Sequence, residues 1–211
     1  MRPIAAALLF ALAAPAFADE GMWTLDNLPR EALKAEYGFD PSDAWLQTAM
    51  QGAVRLAGGC SGSFVSPTGL VLTNHHCVIG CVQQLSSAEH DYVNDGFLAR
   101  NRGEELQCPG MEINQLQQTR DVTERIRTAT LGLSGKAYND AKKAEQSKIE
   151  AECVGEDSTT TRCDIVELYQ GGVQHLYQYR RFQDVRLVFT PEYASGFFGG
   201  DPDNFNFPRY N

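Results

Sequence analysis

Two adjacent histidines, His75 and His76, stand immediately before Cys77, and a second cysteine, Cys60, lies upstream across two short apolar runs. An imidazole can take and return a proton near neutral pH. To act as a general base it must lie within hydrogen-bond reach of that proton, so its backbone has to be held. A Cys60–Cys77 bond would hold His76, its direct neighbour, whereas His75 would point to the opposite face if the strand before it continues. His76 is therefore the expected base. Ser61 and Ser63 superficially resemble a nucleophile loop, but they open the strand that leads to the histidine and are tied by Cys60, so neither is expected to attack. His90 and His175 stand in polar contexts and are expected on the surface.

His75, His76, Cys77 and Cys81 also raise a metal site as an alternative. Adjacent ligands rarely converge on one zinc, and the usual short-spaced cysteine pairs are absent. The expectation is no metal and no cofactor.

The elements that must position His76 come next. Ser61–Ser66 and Gly69–Asn74 read as strands joined by a Ser-Pro-Thr-Gly turn, and Val78–Ala88 as helix. Residues 19–57 read as mostly helical, with a helix start at Asn27–Glu31 and a second run over Asp43–Val54. Tyr92–Phe97 reads as a loop with a turn at Asn94-Asp95-Gly96. Glu112–Thr119 is an expected strand. Lys136–Cys153, rich in Ala, Lys, Glu and Gln, is an expected surface helix inserted into the β scaffold. Asp164–Tyr169 and Val173–Arg181 flank a tight turn at Gln170-Gly171-Gly172, and Val185–Phe189 is a further strand.

The chain has 211 residues and a net charge of −9. Arg2, the apolar run Ile4–Ala14 and Ala16-Phe17-Ala18 predict a secretory signal over residues 1–18, cleaved after Ala18. That places the protein in the periplasm or outside the cell. The apolar run is too short to span a bilayer, so no membrane anchor is expected. Losing Arg2 leaves 17 basic against 27 acidic residues, or −10. Such a balance supplies no basic stripe for phosphates and argues against nucleic-acid binding. Six cysteines in an exported chain favour three disulfides, whose pairing the sequence leaves open. Cys60–Cys77 across the hairpin is the first choice, then Cys153–Cys163 closing a polar loop, with Cys81–Cys108 remaining.

Four blocks carry a specific resemblance: Asp19-Glu20-Gly21-Met22-Trp23; Gly69-Leu70-Val71-Leu72-Thr73-Asn74-His75-His76-Cys77; Asp184-Val185-Arg186-Leu187-Val188-Phe189-Thr190-Pro191; and Phe198-Gly199-Gly200-Asp201-Pro202-Asp203-Asn204-Phe205-Asn206-Phe207-Pro208-Arg209. In this order they resemble the bacterial dipeptidyl-peptidase 7 and 11 family, chymotrypsin-type serine exopeptidases of the periplasm. The resemblance implies peptide substrates with a free N-terminus, no cofactor, and several hundred further residues. It places the triad base at His76 and receives the substrate α-amino group with Asn204 and Phe205; the family more often has Trp at the latter position. Asp201 and Asp203 are read as a hydrogen-bonded turn. The triad aspartate would fall just past Asn211 and the serine much later, so this chain alone is expected to be inactive. The resemblance also admits a homodimer for the full-length enzyme.

The implied fold is mainly β with helical additions: residues 58–211 as the first, incomplete antiparallel β-barrel of a chymotrypsin-like pair, with the helical insertion around 136–153. A missing second barrel would leave an exposed apolar face. The alternative function is a non-enzymatic truncated periplasmic protein or peptide-binding module.

Overall fold

The computed structural model describes residues 23–196. The expected signal segment and the block containing Asn204 and Phe205 lie outside the described residues. The chain divides at Pro41. Before it, a short turn at Leu25–Asn27 precedes helix α1 (Arg30–Tyr37). Gly38, at φ +64°, ends α1 in the left-handed conformation that glycine adopts without strain.

In the second unit, Ser42 caps α2 (Asp43–Gly52) by accepting a hydrogen bond from the Trp45 N–H at 3.2 Å. The expected helix over Asp43–Val54 ends two residues early. Ala53 turns extended, and β1 (Ala53–Leu56) follows, burying Val54 and Leu56 while Ala53 and Arg55 face outward. Strand alternation overrides helix propensity there because β1 becomes an inner strand.

The hairpin strands β2 (Ser61–Phe64) and β3 (Val71–Thr73) lead into α3 (His75–Leu85). Where a loop was expected, one helical turn, α4 (Tyr92–Asp95), is capped by Asp91, and Gly96 turns the chain into β4 (Phe97–Leu98). Then come β5 (Leu106–Gln107), β6 (Ile113–Asp121), α5 (Thr123–Ala129) and α6 (Gly135–Val154). The expected hairpin is present as β7 (Thr161–Leu168) and β8 (Val173–Phe182). The strand expected over Val185–Phe189 is split into β9 (Arg186–Leu187) and β10 (Phe189–Thr190), because each half pairs with a different partner: β9 with β5, β10 with β4. A last turn, α7 (Tyr193–Gly196), ends the described chain.

Six strands form one antiparallel sheet in the order β3-β2-β1-β6-β8-β7. The sheet is open, with β3 and β7 at its edges, so the described strands do not close the expected barrel. The fold class is otherwise as expected, mainly β with helices added. The inserted helix α6 is nearly the one expected and is mostly solvated. Its Ile149 is buried with Val122, Ile126, Cys163 and Leu176 against the sheet. Its Glu150 carboxylate accepts the Ile165 N–H at 2.8 Å, satisfying a donor on the edge strand β7.

A buried carboxylate ties the strands laterally. Glu112 accepts hydrogen bonds from Asn114 at 2.9 Å and from the guanidinium groups of Arg162 (β7) and Arg181 (β8). Arg162 reaches on to Asp164, which Arg55 of β1 also contacts at 3.0 Å. Burial pushes the Glu112 carboxyl up, but the donors from Asn114, Arg181 and Arg162 outweigh it and hold it below its ordinary value.

Candidate active site

The hairpin that delivers the histidines is fixed by its own turn. Ser66 Oγ accepts from the Leu70 N–H at 3.0 Å and the Thr68 N–H at 3.3 Å, while Gly69 takes φ +94°. Gly62 lies under the β3 backbone: a Cβ there would sit 2.7 Å from the Leu72 carbonyl oxygen. Ser63 donates its hydroxyl to the Gly52 carbonyl at 3.2 Å, a structural use within the sheet.

The strand does not continue through the histidines. Asn74 is the last extended residue, and α3 starts at His75. Successive helical residues are turned by ~100°, which sets the two imidazoles on different faces. His75 falls on the same face as Val78 and Val82 and is only 4% exposed; His76 is exposed. Burial first, and the neighbouring His76 charge second, push the His75 pKa down. Its ring meets Tyr193 edge-on, with centroids 6.0 Å apart. His90 is exposed and stacks on Tyr92. His175, expected on the surface, is half-buried in β8 opposite Asp121, because alternation on that strand puts it among the Tyr177 and Tyr179 rings.

All three expected disulfides are formed. Cys60–Cys77 joins the β1–β2 turn to the first turn of α3 with Cα atoms 6.0 Å apart. Cys81–Cys108 fixes the next turn, and Cys153–Cys163 links the end of α6 to β7. The helix carrying His76 is thus bonded to the body at two points one turn apart. An imidazole nitrogen of His76 lies within 4.8 Å of both the Cys60 and Cys77 sulfurs. That trio has the ligand types of a metal site, but both sulfurs are spent in the S–S bond, as are those of Cys81 and Cys108. Three disulfides mark a protein of an oxidising compartment, extracellular or periplasmic. Among the described residues no helix is long and apolar enough to cross a membrane.

Beside α3 runs a groove of about 1350 Å³. Its apolar lining includes Leu56, Phe64, Val71, Ile113 and Phe182, with His75 rather than His76 among the lining residues. Arg180 lies over the Phe182 ring at 5.3 Å, and Arg186 pairs with Asp184 at 2.9 Å. Leu70, Leu72, Leu98 and Phe189 are exposed.

The peptidase S46 family profile matches residues 18–211. The chain belongs to the peptidase S46 family. It is 38% identical to the dipeptidyl-peptidase 7 of Porphyromonas endodontalis over 98% of this chain and 26% of that protein. It is 32% identical to an Asp/Glu-specific dipeptidyl-peptidase of the same organism, covering 96% and 30% respectively. The crystal structure of Porphyromonas endodontalis DPP11 in complex with dipeptide Arg-Glu superposes with a TM-score of 0.74 at 29% identity, covering 91% of this chain and 29% of that one. The chain therefore spans less than a third of the length of these relatives.

Sequence reasoning missed the buried role of His75. The available signal was the spacing of His75, Val78 and Val82, an apolar helical stripe once the helix is started one residue after Asn74.

Proposed function

We propose that this chain is the N-terminal part of a serine-type dipeptidyl aminopeptidase of the periplasm or cell exterior, releasing dipeptides from the free N-terminus of peptides. The observation that carries the reading is the placement of His76: exposed, at the first turn of a helix bonded twice to the body, in a family whose compared members are dipeptidyl peptidases. His76 takes the serine proton and returns it to the leaving amine. The orienting aspartate and the serine come from beyond Asn211. Asn204 offers a carbonyl to the substrate ammonium and Phe205 a ring face for cation–π attraction, so cleavage falls after the second residue. The open sheet serves as part of a first chymotrypsin-like barrel. The family match begins at residue 18, which supports reading 1–18 as a cleaved signal.

The test is hydrolysis of dipeptidyl fluorogenic substrates by the intact enzyme. His76→Ala should lower turnover by about 10⁶, and blocking the substrate amine by acetylation should abolish cleavage. Full turnover by His76→Ala would refute the assignment of the base. His76-dependent hydrolysis by the 211-residue chain alone would refute its inactivity.

A further inference from the structure

Cys60, His76 and Cys77 gather two sulfurs and an imidazole nitrogen within 4.8 Å of one another. His76 and Cys77 are neighbours in sequence, yet the first turn of α3 brings both within reach of Cys60. The bond between the sulfurs lies open to exchange. Cys60 and Cys77 are half-buried and His76 is exposed, whereas Cys81 and Cys108 are 5% and 2% exposed. A thiol reductant therefore reaches Cys60–Cys77 before Cys81–Cys108. Breaking the first bond does not scatter the three residues. Cys81–Cys108, one turn further along α3, still holds the helix. The Cys60 carbonyl still accepts the Leu56 N–H at 2.8 Å, and the Gly59 N–H donates to the Leu56 carbonyl at 3.0 Å. There is also room to adjust, since a Cβ at Gly58 or Gly59 would meet nothing within 4 Å.

We propose that Cys60, Cys77 and His76 form a redox-gated site for a thiophilic divalent cation of the zinc class, closed while the disulfide stands and opened by a dithiol reductant. In that exchange the dithiol gives up two electrons and two protons and becomes a disulfide, while the Cys60–Cys77 bond becomes two thiols. Zinc then displaces both thiol protons and takes two thiolates and the neutral His76 imidazole, with water as the fourth ligand. Zn–S bonds of about 2.3 Å and Zn–N bonds of about 2.0 Å set tetrahedral ligand separations of roughly 3.5–3.8 Å. Those separations fall inside the 4.8 Å over which the three atoms already gather, once the sulfurs part. Two thiolates and an imidazole select zinc over magnesium or calcium. The catalytic consequence rests on reading His76 as the base: an imidazole with zinc on one nitrogen and a proton on the other cannot take the serine proton.

The intact peptidase is reduced with dithiothreitol, desalted without oxygen and titrated with zinc against a chromogenic chelator. It is compared with the oxidised protein, His76→Ala and Cys60→Ala/Cys77→Ala. Reduced wild type should bind about one zinc per chain more than the oxidised protein. His76→Ala should hold that zinc at least about tenfold more weakly, and the double cysteine variant should lose it. Alkylation mapping of the wild type needs no variant to fold. Brief reduction should expose Cys60 and Cys77 before Cys81 and Cys108, and zinc should then slow their alkylation by about tenfold or more. Equal zinc binding by oxidised and reduced protein, unprotected Cys60 and Cys77, or full affinity in His76→Ala overturns the inference. Stoichiometric zinc should also abolish the hydrolysis that the reduced enzyme retains, with recovery on chelation. Zinc held by these three residues with hydrolysis undiminished supports the site and refutes His76 as the base.

Discussion

Replacing Cys60 and Cys77 together by alanine tests how His76, the proposed base, is held. The bond closes a loop of 17 residues, for which chain-entropy reasoning gives about 3 kcal/mol of stability. The same relation gives roughly 3.5 kcal/mol for Cys81–Cys108, with a separation of 27, and roughly 2.7 kcal/mol for Cys153–Cys163, with a separation of 10. Burial widens the first gap. Cys81 and Cys108 are 5% and 2% exposed within an apolar cluster, so losing their sulfurs also opens a cavity, whereas Cys60 and Cys77 are half-buried. Cys81/Cys108 is expected to cost the most; the cavity left by Cys163, 6% exposed in the cluster around Ile149, offsets the shorter loop of Cys153–Cys163, so that pair and Cys60/Cys77 should cost about the same. Urea unfolding of the oxidised protein, followed by circular dichroism, measures these costs. Imidazole NMR supplies the local readout: the Cys60→Ala/Cys77→Ala protein should show altered His76 signals, with those of His175 unchanged. A loss under about 1 kcal/mol with unaltered His76 signals would refute the claim that this bond positions His76.

Glu112→Ala should cost about 1–2 kcal/mol in chemical denaturation, because it takes the carboxylate acceptor from Arg181 and from the buried Asn114 amide while Arg162 keeps Asp164. The Glu112 carboxyl is depressed below 4.5, so its contribution is present above that pH and is lost as pH falls through the folded value; thermal melts of Glu112→Gln should lack this acid-side loss. His75 is likewise depressed from 6.5, so stability should fall as pH drops below that value, and His75→Phe should flatten the dependence in melts between pH 7 and 5. Gly62→Ala should cost about 1–3 kcal/mol and weaken amide-exchange protection across β2 and β3, since the new Cβ meets the Leu72 carbonyl oxygen at 2.7 Å.

What the sequence made legible was local or chemically forced. The polar composition of residues 136–153 specifies α6 almost residue for residue, and the turn around Gln170-Gly171 specifies the β7–β8 hairpin. The disulfide pairing was left open by the sequence, and the bonds formed are the first choice across the hairpin, the second across the polar loop and the remaining pair. What was not legible depends on partners distant in sequence. The stretch Val185–Phe189 looks like one strand until β5 and β4 each claim half of it. Val54 looks helical until β6 pairs with β1. Glu112 and Arg162 look like ordinary surface charges until the sheet register brings them together at 3.2 Å.

The two histidines combine both cases. Adjacency to Cys77 singles out His76 from sequence alone, and that inference does not depend on whether the backbone is strand or helix. The environment of His75 does depend on it. A continuing strand would turn the rings ~180° apart and leave each on one side of a thin edge. A helix starting at His75 turns them ~100° apart instead, sending one ring into the face shared with Val78 and Val82 and the other to solvent. One backbone transition after Asn74 thus separates an enclosed, proton-poor imidazole from an accessible one. A change that delays the helix start by one residue, without touching either histidine, should therefore disturb both.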